Sequence, residues 1–206
     1  MPILSVTQSG IRSGKMMRHP ANGSQWRNVD REFPDFDSDS RNIRFGLIMD
    51  EINPFGEWGS SHSTWPMTLC MFNLPSWLCM KRKYILMPVL IQDPKQPSND
   101  TGVHLRPLVD ELLLLWKPEG VRVWGEYKQE NFDLRALLFV TINDWPALSN
   151  MSGQSNKGYQ ACTNCLDETD SLYLKNSRKD VYMGHRRFLP LKHPLRRKGK
   201  HFKGEP

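Results

Sequence analysis

The apolar residues of this chain come in short runs, none longer than the eight of Tyr84–Ile91, and that run is itself interrupted by Pro88. A membrane-spanning helix needs about 18 such residues, so no membrane partner is expected. The runs are separated by Gly, Pro, Asn and Ser, and they differ in period. NIRFGLIMD (42–50), Thr64–Leu74 and Lys83–Ile91 have the β-branched and aromatic content of strands. HLRPLVDELLLLW (104–116) places Leu105, Leu108, Val109, Leu112, Leu113 and Trp116 on a 3.6-residue period, which predicts a helix with Pro107 in its first turn and Pro118 and Gly120 past its end. FDLRALLFVTI (132–142) is ambiguous by period, but its end favours a buried strand closing on Asn143 and Asp144. The predicted order is strand, strand, strand, helix, strand: an α/β arrangement with an acid at the end of the first and fourth strands.

This ordered stretch is flanked by polar segments. Residues 1–41, with PANGSQW and PDFDSDS, read mostly as loop. The N-terminus lacks the apolar stretch of a secretory signal, and its early basic residues (Arg12, Lys15, Arg18) set a faint transit-peptide resemblance beside the plainer reading of an irregular tail. Beyond Pro146 the chain turns polar, passes a C-x-x-C, and ends in a basic block. From His185 to Lys203 there are eight Lys or Arg and no acid, while the rest of the chain holds 20 basic against 22 acidic residues. The formal charge of +6 is therefore a property of that segment. A localised basic block suits a polyanion or nuclear import, with a solvated tail as the alternative. Three N-x-[ST] triplets, at Asn22, Asn99 and Asn150, are within chance expectation. Four cysteines are too few for a disulfide scaffold, and a reducing intracellular compartment is expected.

Two constellations carry chemistry. Asp50 and Asp144 stand at strand ends; if the first and fourth strands are neighbours, both carboxylates converge on one point. Uncompensated carboxylates that close favour a divalent cation, with hard oxygen ligands suiting Mg²⁺ or Mn²⁺. The alternative is two ordinary strand-end or cap aspartates. Cys162 and Cys165 have the spacing that grips a tetrahedral zinc, with His185, His193 and His201 as candidate partners; a redox role is less well supported, because the motif sits in a Gly/Ser/Asn-rich stretch. Cys70 and Cys79 read as core residues, as do Trp65, Met67, Met71, Trp77 and Met80. GIRSGKM (10–16) lacks one spacer residue and the Ser/Thr of a phosphate-binding loop, no G-x-S-x-G occurs, and His62–Ser63 has no third partner. Nucleotide-driven and serine-hydrolase chemistries have no support.

Several long strings, among them MRHPANGSQWRNVDREFPDF, STWPMTLCMFNLPSWLCMKRKY, LRPLVDELLLLW, FDLRALLFVTINDWPA, LSNMSGQSNKGYQACTNC and GHRRFLPLKHPLRR, together resemble the transposases of the CACTA (En/Spm) superfamily of plant DNA transposons over residues 16–206. The resemblance implies a partial RNase H-like core at 42–160 with a DDE/D acid triad, the first acid carried over to Asp50 and the second to Asp144. It also implies a zinc-stapled basic segment at 161–206, with Cys162, Cys165, His185 and His193 as metal ligands. Glu51 stands where the family has glycine, which predicts a distorted loop after Asp50. The third acid is implied downstream of Pro206, and the family's DNA-binding region upstream, so a truncated copy is expected. The implied activity is metal-dependent phosphodiester hydrolysis and strand transfer in the nucleus. DNA and other transposase copies are the implied partners, and Mg²⁺ or Mn²⁺ and structural Zn²⁺ the ions. The rival expectations are a non-catalytic zinc-stabilised DNA- or protein-binding relic and a product that does not fold stably.

Overall fold

The computed structural model describes residues 17–54, 63–93, 101–155 and 157–197. The 10–16 motif, His62, Asn99, His201 and the lysines at 198, 200 and 203 lie outside the described residues. The elements in chain order are α1 (Ser24–Glu32), α2 (Pro34–Asp37), β1 (Ile43–Met49), β2 (Ser63–Met71), α3 (Ser76–Cys79), β3 (Ile85–Asp93), α4 (Thr101–Trp116), β4 (Val121–Gly125), β5 (Glu130–Leu134), β6 (Ala136–Asn143), α5 (Trp145–Ser152), β7 (Ser171–Leu174) and β8 (Lys179–Tyr182). Two compact units divide the chain, Met1–Ala147 and Leu148–Pro206.

In the first unit, four strands form a mixed sheet in the order β3-β2-β1-β6. β2 runs antiparallel to both β1 and β3, whereas β6 runs parallel to β1. α4 makes the crossover that a parallel return requires, packing against β3 and β6. The β1–β6 pairing contains one bulge: Phe45 is opposite Leu138, but Gly46 is opposite Val140, so Phe139 is an extra residue. Alternation along β1 and β2 places Phe45, Leu47, Met49, Trp65, Met67 and Leu69 on one face, all at most 5% exposed. On the other face, Trp26 of α1 closes over Cys70, Phe72 and Phe139, the Trp26 and Phe139 rings meeting edge-on at 5.4 Å.

The N-terminal segment departs from the expected loop. α1 and α2 form because Trp26 and Phe36 both find burial, and because Arg44, 2% exposed on β1, reaches Asp30 at 2.6 Å and Asp37 at 3.1 Å with its guanidinium 4.3 Å over the Trp26 ring. Two buried amides fix where β1 begins. Asn42 Nδ2 donates to the Phe36 carbonyl and its Oδ1 accepts from Arg135 N–H, while Asn73 Oδ1 accepts from Arg44 N–H.

Three further expectations are corrected. α4 begins at Thr101, so Pro107 lies inside the helix rather than in its first turn, where it can donate no bond to the carbonyl of Val103. The stretch 132–142 is two strands broken at Arg135, β5 pairing with β4 in a separate hairpin and β6 joining the sheet. Trp77 and Met80 are 71% and 62% exposed, because Cys79 is the residue that α3 buries.

In the second unit, β7 and β8 form an antiparallel hairpin between the C-x-x-C and His185. All four cysteines are free thiols. No helix among the described residues is long and apolar enough to cross a membrane.

Candidate functional site

β1 and β6 are parallel neighbours, and their ladder ends with Met49 opposite Asn143. One step further, Asp50 and Asp144 leave adjacent strands at the same level, where strands stand about 4.8 Å apart. Both are exposed. Asp50 Oδ1 accepts from the N–H of Glu51 at 2.9 Å, and Asp144 Oδ1 accepts from the N–H of Ala147 at 2.8 Å, capping the first turn of α5. Neither carboxylate has an ion-pair partner among the described residues. The donor set, two hard oxygens without a compensating cation, fits Mg²⁺ or Mn²⁺. One Asp144 oxygen thus serves as the helix cap that the plainer reading of a strand-end acid expects.

Glu51 does not distort this strand end. It is not among the described non-glycine residues with positive φ, which are Gln129, Leu166 and Arg178. Its side chain turns toward β2, where Oε1 accepts from the Ser63 hydroxyl at 2.7 Å. The ladder also continues past it through a bridge between Ile52 and Thr64.

The second unit gathers Cys162, Cys165 and His185, with their ligand atoms all within 4.8 Å of one another. The backbone turn that does this is closed by Cys165 N–H and Leu166 N–H donating to the Cys162 carbonyl at 3.2 and 2.9 Å. His185 arrives after Gly184, which takes a left-handed φ of 74° and starts a 3₁₀ turn over His185–Phe188. Cys162 Sγ and His185 Nε2 are 3.3 Å apart. Burial pushes the Cys162 thiol up, but hydrogen bonds from His185, from the backbone at Asn164 and Cys165, and from the Cys165 thiol outweigh it and bring it down to about 7. Burial and the neighbouring Cys162 push Cys165 up, against a hydrogen bond from the Arg187 side chain. Thiolates on one tetrahedral zinc stand about 3.8 Å apart, so two sulfurs and an imidazole at this spacing can hold such an ion. His193 is not part of the group. Its Nδ1 accepts from Leu195 N–H at 3.2 Å, an acceptor role that a ring ligating through Nε2 would not keep.

Residues 14–206 match the model of transposase family tnp2. The chain belongs to that family. Neither the curated proteins nor the solved structures contain a significant match to it.

For a tnp2 transposase the basic segment is used in an unexpected way. Arg196 donates to the carbonyls of Leu189 and Arg187, at 2.9 and 2.7 Å, and Arg187 reaches both the carboxylate and the carbonyl of Glu168, each at 3.1 Å. These guanidiniums fold the segment around the cysteine pair, a role that a count of charges does not reveal. Sequence reasoning also gave no role to Ser63, although its place at the start of β2, facing the end of β1, was a usable signal.

Proposed function

We propose that this tnp2-family chain carries the first two acids of a DDE/D-type DNA transposase of the CACTA (En/Spm) group, on a partial RNase H-like core. The observation that carries the reading is the β1–β6 register, which brings Asp50 and Asp144 out of parallel neighbouring strands at one level. The sheet order β3-β2-β1-β6, with a single parallel pair, supports it. Asp50 and Asp144 would hold Mg²⁺ or Mn²⁺. A divalent ion bound there supplies a water of lowered pKa and charge neutralisation at a phosphodiester. The chain's own contribution is orientation: the Glu51 and Ala147 N–H groups each hold one carboxylate oxygen.

The zinc-class ligand set of Cys162, Cys165 and His185 supports a structural ion in the second unit. The family supports DNA as the partner, and the basic segment suits import into the nucleus. Lys192, exposed and without an ion-pair partner among the described residues, is a candidate phosphate contact.

The test is Mn²⁺ binding by calorimetry to the zinc-loaded chain and to its Asp50→Ala and Asp144→Ala variants. Binding lost in both is the expected result; equal binding in all three overturns the reading. A second reading, a DNA- or protein-binding module without catalysis, is favoured by the metal-ligand group around which the basic segment folds. DNA binding that is unchanged by removing divalent cations and by both Asp variants would select it.

A further inference from the structure

The strand end that carries Asp50 is incompletely tied to β2, and the gap has a cause. Met49 pairs with Met67 and Ile52 with Thr64. The register is the same on both sides of the gap, so Asp50 falls opposite Pro66 and Glu51 opposite Trp65. Ile52 and Thr64 exchange both main-chain hydrogen bonds, at 2.9 and 3.0 Å. Such pairs alternate along an antiparallel ladder, which makes Asp50 and Pro66 a pair of the same class. Proline has no N–H to give. The ladder bond that would hold the Asp50 carbonyl is therefore missing.

Side chains bridge the gap. Glu51 Oε1 accepts from Ser63 Oγ at 2.7 Å, and that oxygen accepts in turn from the indole N–H of Trp65 at 2.5 Å. Trp65 is fully buried and Ser63 is 7% exposed, whereas Glu51 is exposed. The anchor thus lies in the core, and what it anchors lies at the surface. By the same alternation, the N–H of Glu51 points away from β2 and toward β6. The bond from that N–H to Asp50 Oδ1 turns the carboxylate to the side where Asp144 stands.

We propose that Glu51 is a positioning residue for Asp50: through Ser63 and Trp65 it replaces the main-chain tie that Pro66 removes and holds Asp50 level with Asp144 for a divalent cation. The inference rests on the reading of Asp50 and Asp144 as a metal-binding pair. A carboxylate here, rather than a small flexible residue, then gives the strand end a support that proline has taken from it.

The experiment is Mn²⁺ calorimetry on the full chain, with a thermal melt of every variant. Glu51→Ala is expected to weaken binding about 10-fold or more with an unchanged melt, since the residue is exposed. Glu51→Gln keeps an oxygen for the Ser63 hydroxyl and is expected to bind like the parent. Glu51→Ala binding like the parent would overturn the proposal. So would Glu51→Gln losing as much as Glu51→Ala, because charge at the cation would then be the cause. Asp50→Ala separates the two levels of failure. If it binds Mn²⁺ normally, the pair reading itself falls; if it abolishes binding while Glu51→Ala is silent, only the positioning role falls.

Discussion

At the scale of single residues, the chain places polar groups inside its core, and His19 is one whose two ring nitrogens both find partners. His19 is 9% exposed; its Nδ1 accepts from Ala21 N–H at 3.1 Å, and its Nε2 donates to the Leu74 carbonyl at 3.0 Å. The bond that Nδ1 accepts requires the neutral ring, and burial pushes its pKa below the ordinary 6.5 despite the Leu74 bond, which works the other way. The unfolded chain takes up a proton near pH 6.5, whereas the folded chain does so only lower. The stabilisation from neutral His19 is therefore complete above 6.5 and is lost as pH falls from there through the folded value. The first unit is expected to melt at lower temperature between pH 7 and pH 5, with a slope of at most about 1.4 kcal/mol per pH unit from this group. A His19→Gln variant should show a flatter dependence; an unchanged slope would refute the assignment. Nothing in the sequence marked His19, because its partners are a carbonyl 55 residues away and a local N–H. The burial of Cys70 and Cys79 was legible, since a free cysteine outside any motif usually behaves as a small apolar residue. Trp77 and Met80 were misjudged for the converse reason: the short helical turn aims Cys79, with Leu78 partly buried beside it, at the core and leaves those two outside.

At the scale of elements, legibility followed the strength of periodicity. β1, β2, β3 and α4 were readable from their apolar pattern. The two hairpins were not, and the cause is turn chemistry. They close through loops 126–129 and 175–178, whose last residues, Gln129 and Arg178, take φ of 54° and 51°, where glycine or asparagine is the usual signal. With no such mark, β5 and β6 merged into one predicted strand. The glycine that does matter to packing lies within β1. A Cβ on Gly46 would come within 2.7 Å of the Phe72 ring and 3.0 Å of Cys70 Sγ. Gly46→Ala is expected to destabilise the first unit by about 1–3 kcal/mol through overpacking, measured by denaturant unfolding. A variant as stable as the parent would mean that the Phe72 ring moves aside freely.

At the scale of the whole molecule, two units with different sources of stability share one chain. The first has a sheet with apolar residues buried on both faces; the second has short strands and a metal-ligand group. Removing zinc is expected to lower the melting of the second unit alone, because binding to the folded state contributes about 2.7 kcal/mol at a hundredfold excess over Kd. Calorimetry with and without a chelator checks this, and Cys162→Ser should make the parent's response disappear. A single transition indifferent to the chelator would count against a structural ion. The C-x-x-C was legible because its spacing is local. His185 and His193 were not separable by sequence, since only the turn after Gly184 decides which ring reaches the sulfurs. The bulge at Phe139 carries the last consequence. Were Phe139 paired in turn instead of bulged out, Asp144 would stand level with Glu51 rather than Asp50, its side chain moved to the opposite face. Which of two consecutive acids meets Asp144 is thus settled by a bulge some distance upstream. Deleting Phe139 itself would leave a regular ladder with Asp50 and Asp144 still level. The β4–β5 hairpin, closed outside the sheet, can change length without disturbing that alignment.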